Sequence, residues 1–265
     1  MRETWNLPGH VNRGISMTGD SRYSRRAVLV GGALLVAASL AACGPNGPEP
    51  SSTPSATAGP SVTSSPGSLR DRLVAALQTT SPTNAKLVEN PQSKLTPVEA
   101  DWLPGWQIID VVSSAPPHPR RFYAALSSDG RAEVLTGKPE AFSAMLVSAG
   151  VQVDSAEVAS SIGPVYLDST RDFQYFSYRV DRVEDVQWRP RLTAAEKSER
   201  DEVLQTYRSP VKPATAVETD GGWQVTVWMV QRRNLVKHEV GIAADAAVTD
   251  HAETAEADLP VPDSI

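Results

Sequence analysis

WQVTVWMVQRRNLVKHEVGIAADAAVTD, residues 223–250, is the stretch that decides the fold class. Apolar residues recur at every second position, the period of a half-buried strand. Trp223, Val225, Val227 and Met229 therefore share one face, and Gln224, Thr226, Trp228 and Val230 share the other. Turns near Arg233-Asn234 and Ala244-Asp245 divide the stretch into Trp223–Val230, Leu235–Ile242 and Ala246–Asp250, an antiparallel meander. The first face must be core. Val236, His238, Val240 and Ile242 also share a face, so His238 is expected to be a buried, hydrogen-bonded histidine rather than a ligand. Trp228 stands on a face that mixes polar and apolar residues. We expect it to be at least half buried under a helix; the alternative is an open aromatic platform for sugar or peptide.

Upstream, Thr193 followed by Glu196 forms a capping box that opens a helix over Ala194–Tyr207, with Lys197, Glu199, Arg200 and Glu202 on its solvated face. Phe176, Tyr178 and Val180 alternate in a predicted strand over residues 173–180, with 186–188 as its partner. A helix begins near Ser68 with Leu69, Leu73, Val74 and Leu77. Residues 106–112 read as a strand, and 121–126 and 131–135 as a hairpin around Ser128-Asp129-Gly130. Pro139 opens a helix closed by Gly150, and another starts at Asp154 or Ser155 and is expected to end or kink at Gly163-Pro164. This order predicts one α+β domain over residues 68–250 with a mostly antiparallel sheet. The pattern resembles the small cone-like α+β domains of the NTF2-like or cystatin-like kind, a likeness of fold alone.

The N-terminal part is of another character. Arg22, Arg25 and Arg26 precede an uncharged run from Ala27 to Ala42, interrupted by Gly31 and Gly32. It falls short of the roughly 20 residues of a spanning helix and reads as the apolar region of a signal peptide, residues 1–42, whose translation start can lie at Met17. Leu40-Ala41-Ala42-Cys43 resembles the lipobox of bacterial lipoprotein precursors. That resemblance implies that the Cys43 thiol receives a diacylglyceryl group and that Cys43 becomes the first mature residue. Ser24-Arg25-Arg26-Ala27-Val28-Leu29 is similar to a twin-arginine export signal, with Val28 in place of a phenylalanine. Together these resemblances imply a protein anchored by lipid at the extracytoplasmic face of the cell membrane.

Loss of the leader removes five arginines, Glu3 and Asp20, so the chain from Cys43 onward keeps 20 basic and 29 acidic residues, a net charge of −9. Such a chain is a poor partner for nucleic acid, whose phosphates need a basic surface. Cys43 is the sole cysteine, so no disulfide can form within the exported chain. From Gly44 to Gly67, 19 of 24 residues are Gly, Pro, Ser or Thr, which makes residues 43–67 a flexible tether of about 25–30 Å root-mean-square reach.

Motifs for chemistry are near misses. His238-Glu239 begins an HExxH pattern, but Ile242 occupies the second histidine's place and the segment reads as a strand, so no metal site is expected. Ser209-Pro210-Val211-Lys212 has the spacing of the Ser-x-x-Lys pair of penicillin-interacting enzymes without its companion motifs. No cofactor is implied. SSAPPHPRR, residues 113–121, offers His118, Arg120 and Arg121 as a possible surface for an envelope protein or a cell-wall polymer, although a stiff connector is the simpler reading. Residues 251–265 are acidic and are expected to form a disordered tail. The leading reading is a non-catalytic binding or positioning domain in the cell envelope. The alternatives are a wall or glycan hydrolase using carboxylates such as Asp181, Glu184 or Asp185, and a small-ligand carrier with a large apolar pocket.

Overall fold

A computed structural model describes residues 67–114 and 119–262. Residues 1–42, expected to be a signal peptide, with Arg25, Arg26, Leu40, Ala41 and Ala42, then Cys43, nearly all of the expected tether and His118 lie outside the described residues. The domain is α+β, and every strand pair among the described residues is antiparallel.

Helix α1, Leu69–Thr80, begins at a reciprocal cap: the Ser68 hydroxyl accepts from the Asp71 N–H, and the Asp71 carboxylate accepts from the Ser68 N–H at 3.1 Å. Helix α2, Pro82–Glu89, follows at once with proline in its first turn, in a segment where the sequence predicted no element. Arg70 ties the two together by donating to the carbonyls of Val88, Asn90 and Ser93. Strands β1 (Lys94–Pro97), β2 (Trp106–Ser113), β3 (Arg120–Ser127) and β4 (Ala132–Val134) form a four-stranded sheet in that order. One face, with Ile109, Val111, Phe122, Ala124 and Leu126, packs against Leu73, Leu77, Ala85 and Val88 of the first two helices.

The other face of this sheet meets helix α3, Pro139–Ala149, and helix α4, Ala156–Thr170. Gly150 closes α3 at φ +65°, a left-handed conformation that glycine adopts without strain. Of the two outcomes expected at Gly163-Pro164, an end is overturned, because α4 runs through both residues to Thr170. A proline inside a helix costs about 3 kcal/mol. Here Ala159, Ile162, Gly163, Pro164, Tyr166 and Leu167 are all buried, so packing on several sides outweighs that local penalty. Gly163 sets the spacing: a Cβ there would lie 2.8 Å from Cγ1 of Val225.

Beyond α4 lies a five-stranded sheet of β5 (Ser177–Arg179), β6 (Thr215–Thr219), β7 (Gly222–Gln231), β8 (Asn234–Ala243) and β9 (Val248–Glu256). Strands β6 and β5 flank the start and the end of β7 on one side, and β8 then β9 follow on the other. Val225, Val227 and Met229 of β7 face α4, as the alternation predicts. Trp228, Val230 and Leu235 face the opposite way, against Val203 of helix α5, Ala194–Tyr207, whose Thr193–Glu196 capping box is present. The layers therefore run from α1 and α2 through the small sheet, α3 and α4, and the large sheet to α5.

Three further expectations are corrected. The strand predicted over 173–180 is confined to Ser177–Arg179, and 186–188 forms no strand; a single 3-10 turn, Val183–Asp185, carries Val183 and Val186 into the core under the large sheet. Strand β6 was not anticipated, because its residues are mostly exposed and show no apolar alternation. The ordered domain does not stop at Asp250: β9 continues to Glu256, and Leu259 and Val261 are buried beside Val230 and Leu235. Polar composition hid a solvent-facing edge strand, since pairing with β8 orders its backbone without an apolar face.

Candidate functional site

The face of the large sheet that carries the core beneath α4 becomes a cleft at the end where β7 turns into β8. This cleft has a volume of about 430 Å³. Val236 and Ala252 give it an apolar floor, Gln231, Asn234 and Thr254 supply neutral polar groups, and Arg171 and Arg232 bring charge.

Arg232 occupies the two-residue turn between the paired Gln231 and Asn234 with φ 56°. Gly or Asn adopts that conformation readily, whereas other residues do so uncommonly and at a cost. Its N–H donates to the Phe176 carbonyl at 2.7 Å, and its guanidinium carbon lies 3.8 Å from the centre of the exposed Tyr175 ring. Among the described residues no carboxylate forms an ion pair with Arg232.

Arg171 follows the last residue of α4. One of its terminal nitrogens donates to the Ser177 carbonyl, and its guanidinium lies 4.8 Å from the Phe173 ring centre. Its Nε is buried without a hydrogen-bond partner. Asp168 is close enough to feel this charge but sits 3.5 Å from Arg179; burial pushes its carboxyl up, and Arg171 and Arg179 oppose that shift. Asp172, on the cleft rim, accepts from the Gln174 N–H at 2.8 Å.

His238 lies immediately behind the cleft, 3% exposed. Its Nδ1 is 2.9 Å from one Asp250 oxygen and 3.0 Å from the other, and its Nε2 is 2.9 Å from Nε2 of Gln231. His238 is thus the buried, hydrogen-bonded residue the alternation predicts. The HExxH near miss is carried on a strand, and the described residues contain no group of three or more His, Cys, Asp or Glu placed to hold a metal ion.

The proposed surface residues fare differently. Trp228 is 6% exposed beneath α5 and packs edge-on against Tyr207 with centroids 6.1 Å apart, which corrects its alternative role as an open platform. Arg121 is bound by both oxygens of Asp110 at 2.9 Å and donates to the Tyr123 hydroxyl at 3.0 Å; the Asp110 hydrogen bonds raise its pKa. It also lies 5.3 Å from the centre of Phe173, a ring that Arg171 and Tyr123 approach as well. Arg121 therefore braces the wall behind the cleft, while Arg120 points to solvent. The carboxylates named for hydrolysis do not converge in a cavity: Asp181 pairs with Arg179, Glu184 with Arg208, and Asp185 with Arg182, whose hydrogen bond lowers the Asp185 pKa.

Sequence reasoning missed Arg171, Gln231 and Arg232 because the first lies about 60 residues before the other two and none matches a motif. One signal was available: Gln231-Arg232-Arg233-Asn234 is a tight hairpin turn lacking the glycine that such a turn favours. Comparison with protein-family models, curated proteins and solved structures gives no match to this chain.

Proposed function

We propose that the protein is a bacterial lipoprotein held by a lipid on Cys43 at the extracytoplasmic face of the cell membrane. Its α+β domain is non-catalytic and binds or positions an envelope partner, protein or cell-wall polymer, through the cleft between Arg171 and Arg232. The observation that carries the reading is the sequence from Arg22 to Cys43, in which a basic leader, an uncharged run and Leu40-Ala41-Ala42-Cys43 follow in the order of a lipoprotein signal. No described helix is long and apolar enough to cross a membrane. A binding role is favoured over hydrolysis because Asp181, Glu184 and Asp185 each face an arginine, whereas Arg232 meets no carboxylate among the described residues.

The test is metabolic labelling with a radioactive fatty acid in the native host. The parent chain should incorporate label and Cys43→Ser should fall to background. Undiminished labelling of the variant removes the anchor from this reading.

A further inference from the structure

We infer that the cleft takes a hydroxylated oxyanion: a carboxylate or phosphate held by Arg171 and Arg232, on a sugar-like body whose hydroxyls meet Gln231, Asn234 and Thr254. The inference rests on the reading of this cleft as the binding site and specifies what enters it.

Three features lead to it. The first is charge. In a chain of net charge −9 after loss of its leader, two guanidinium groups line one cavity against a single carboxylate, Asp172, and neither forms an ion pair with a carboxylate among the described residues. Arg171 spends one terminal nitrogen on the Ser177 carbonyl, and its other terminal nitrogen donates to no group among the described residues, so part of its hydrogen-bonding capacity is unused. Guanidinium forks match the planar carboxylate and the phosphate oxygens better than any neutral group does.

The second is position. Phe173 backs Arg171, and the Tyr175 ring supports Arg232 at 3.8 Å. Both cations are therefore held on aromatic faces, and less side-chain freedom remains to be lost on binding.

The third is the orientation of Gln231. The His238 Nδ1 faces the Asp250 carboxylate, which can only accept, so Nδ1 carries the ring proton and donates. With the proton on Nδ1 alone, Nε2 offers a lone pair to the Gln231 Nε2, 2.9 Å away. In that arrangement the amide turns its Nε2 to the histidine and leaves the Gln231 Oε1 as an acceptor for a group in the cleft. An acceptor beside two cationic donors suits a ligand that carries both an oxyanion and a hydroxyl. A cavity of about 430 Å³ accommodates a body of roughly monosaccharide size.

The experiment is saturation-transfer NMR on the full chain purified in detergent, titrated separately with D-glucuronate, D-glucose 6-phosphate and D-glucose. At least one anionic sugar should bind with a Kd on the order of 1 mM or tighter, and glucose more weakly by about tenfold or more. The stronger of the two anionic probes identifies the oxyanion as carboxylate or phosphate. Arg232→Ala should weaken that binding about tenfold or more with its melting transition unchanged, since alanine keeps the same backbone and the side chain is exposed. Gln231→Glu, which sets a negative group beside the ligand, should weaken it as well. Ala252→Trp fills the cleft and should abolish it.

Equal binding of glucose and the anionic sugars overturns the inference. If that binding is still lost in Ala252→Trp, the cleft stands as the binding site and only the oxyanion fails. Anionic binding untouched by both Ala252→Trp and Arg232→Ala overturns the inference and the cleft assignment together. Absence of binding by all three sugars overturns the inference, while the fatty-acid labelling of Cys43 is unaffected by that result.

Discussion

Trp228→Ala should be among the most damaging single substitutions on the large sheet. Trp228 is 6% exposed, in a cluster with Val203, Val211, Val230 and Leu235. Tyr207 meets it edge-on and is itself anchored, its hydroxyl donating to the Ala255 carbonyl at 2.5 Å, so it cannot drop into the space the indole leaves. Deleting a buried aromatic costs about 3–5 kcal/mol, with the smaller figures found where neighbours collapse inward. The anchored tyrosine places this site near 4 kcal/mol, a large fraction of the roughly 5–15 kcal/mol that holds a domain folded. With a urea m-value of about 2 kcal/mol/M, the unfolding midpoint should fall by about 2 M while m stays unchanged. A loss under about 1 kcal/mol, accompanied by a lost partner, would mean that Trp228 is a contact surface and that α5 does not cover it.

Gly163→Ala should cost about 1–3 kcal/mol in thermal or denaturant melts, because the new Cβ would sit 2.8 Å from Val225 Cγ1; an unchanged melt would mean that α4 does not press on β7. Asp129 accepts from the Ser127 hydroxyl and from Arg131, which hold its pKa down to about 2, so its carboxyl carbon should titrate near that value and Ser127→Ala should move the midpoint upward. Since its folded pKa lies below the ordinary one, its stabilising effect is present above the ordinary carboxylate range and is lost as pH falls toward about 2. Asp168 has the opposite sign: burial raises its pKa, so it should titrate above the ordinary value, and its contribution to stability declines as pH rises through that raised pKa. Arg25→Lys with Arg26→Lys keeps the charge and removes the paired guanidiniums; export should fail, and normal export would place the chain on the general secretory route.

The elements that could be read from sequence are those whose local chemistry and packing agree. Leu69, Leu73 and Leu77 mark the first helix by their spacing, Thr193 with Glu196 announces another by a reciprocal cap, Pro139 and Gly150 bracket a third, and the alternation through Trp223–Ile242 assigns each face of two strands correctly. What stayed hidden depends on tertiary context. Pro164 argues for a helix end, yet burial of α4 on several sides keeps the helix intact. Val183 and Val186 reach the core from a 3-10 turn, with no strand periodicity to mark them. The polar edge strand Val248–Glu256 is ordered by pairing with β8, which composition does not reveal. The cleft was the least legible part, since Arg171 comes from a helix end and Arg232 from a hairpin turn, and only the chain's return brings them together.

The mass of the mature N terminus in the native host's membrane fraction tests lipid anchoring most directly. The chain should begin at Cys43, with its sulfur carrying a diacylglyceryl group and residues 1–42 absent. A chain that retains the leader, or that begins elsewhere with an unmodified Cys43 thiol, would contradict the lipoprotein reading.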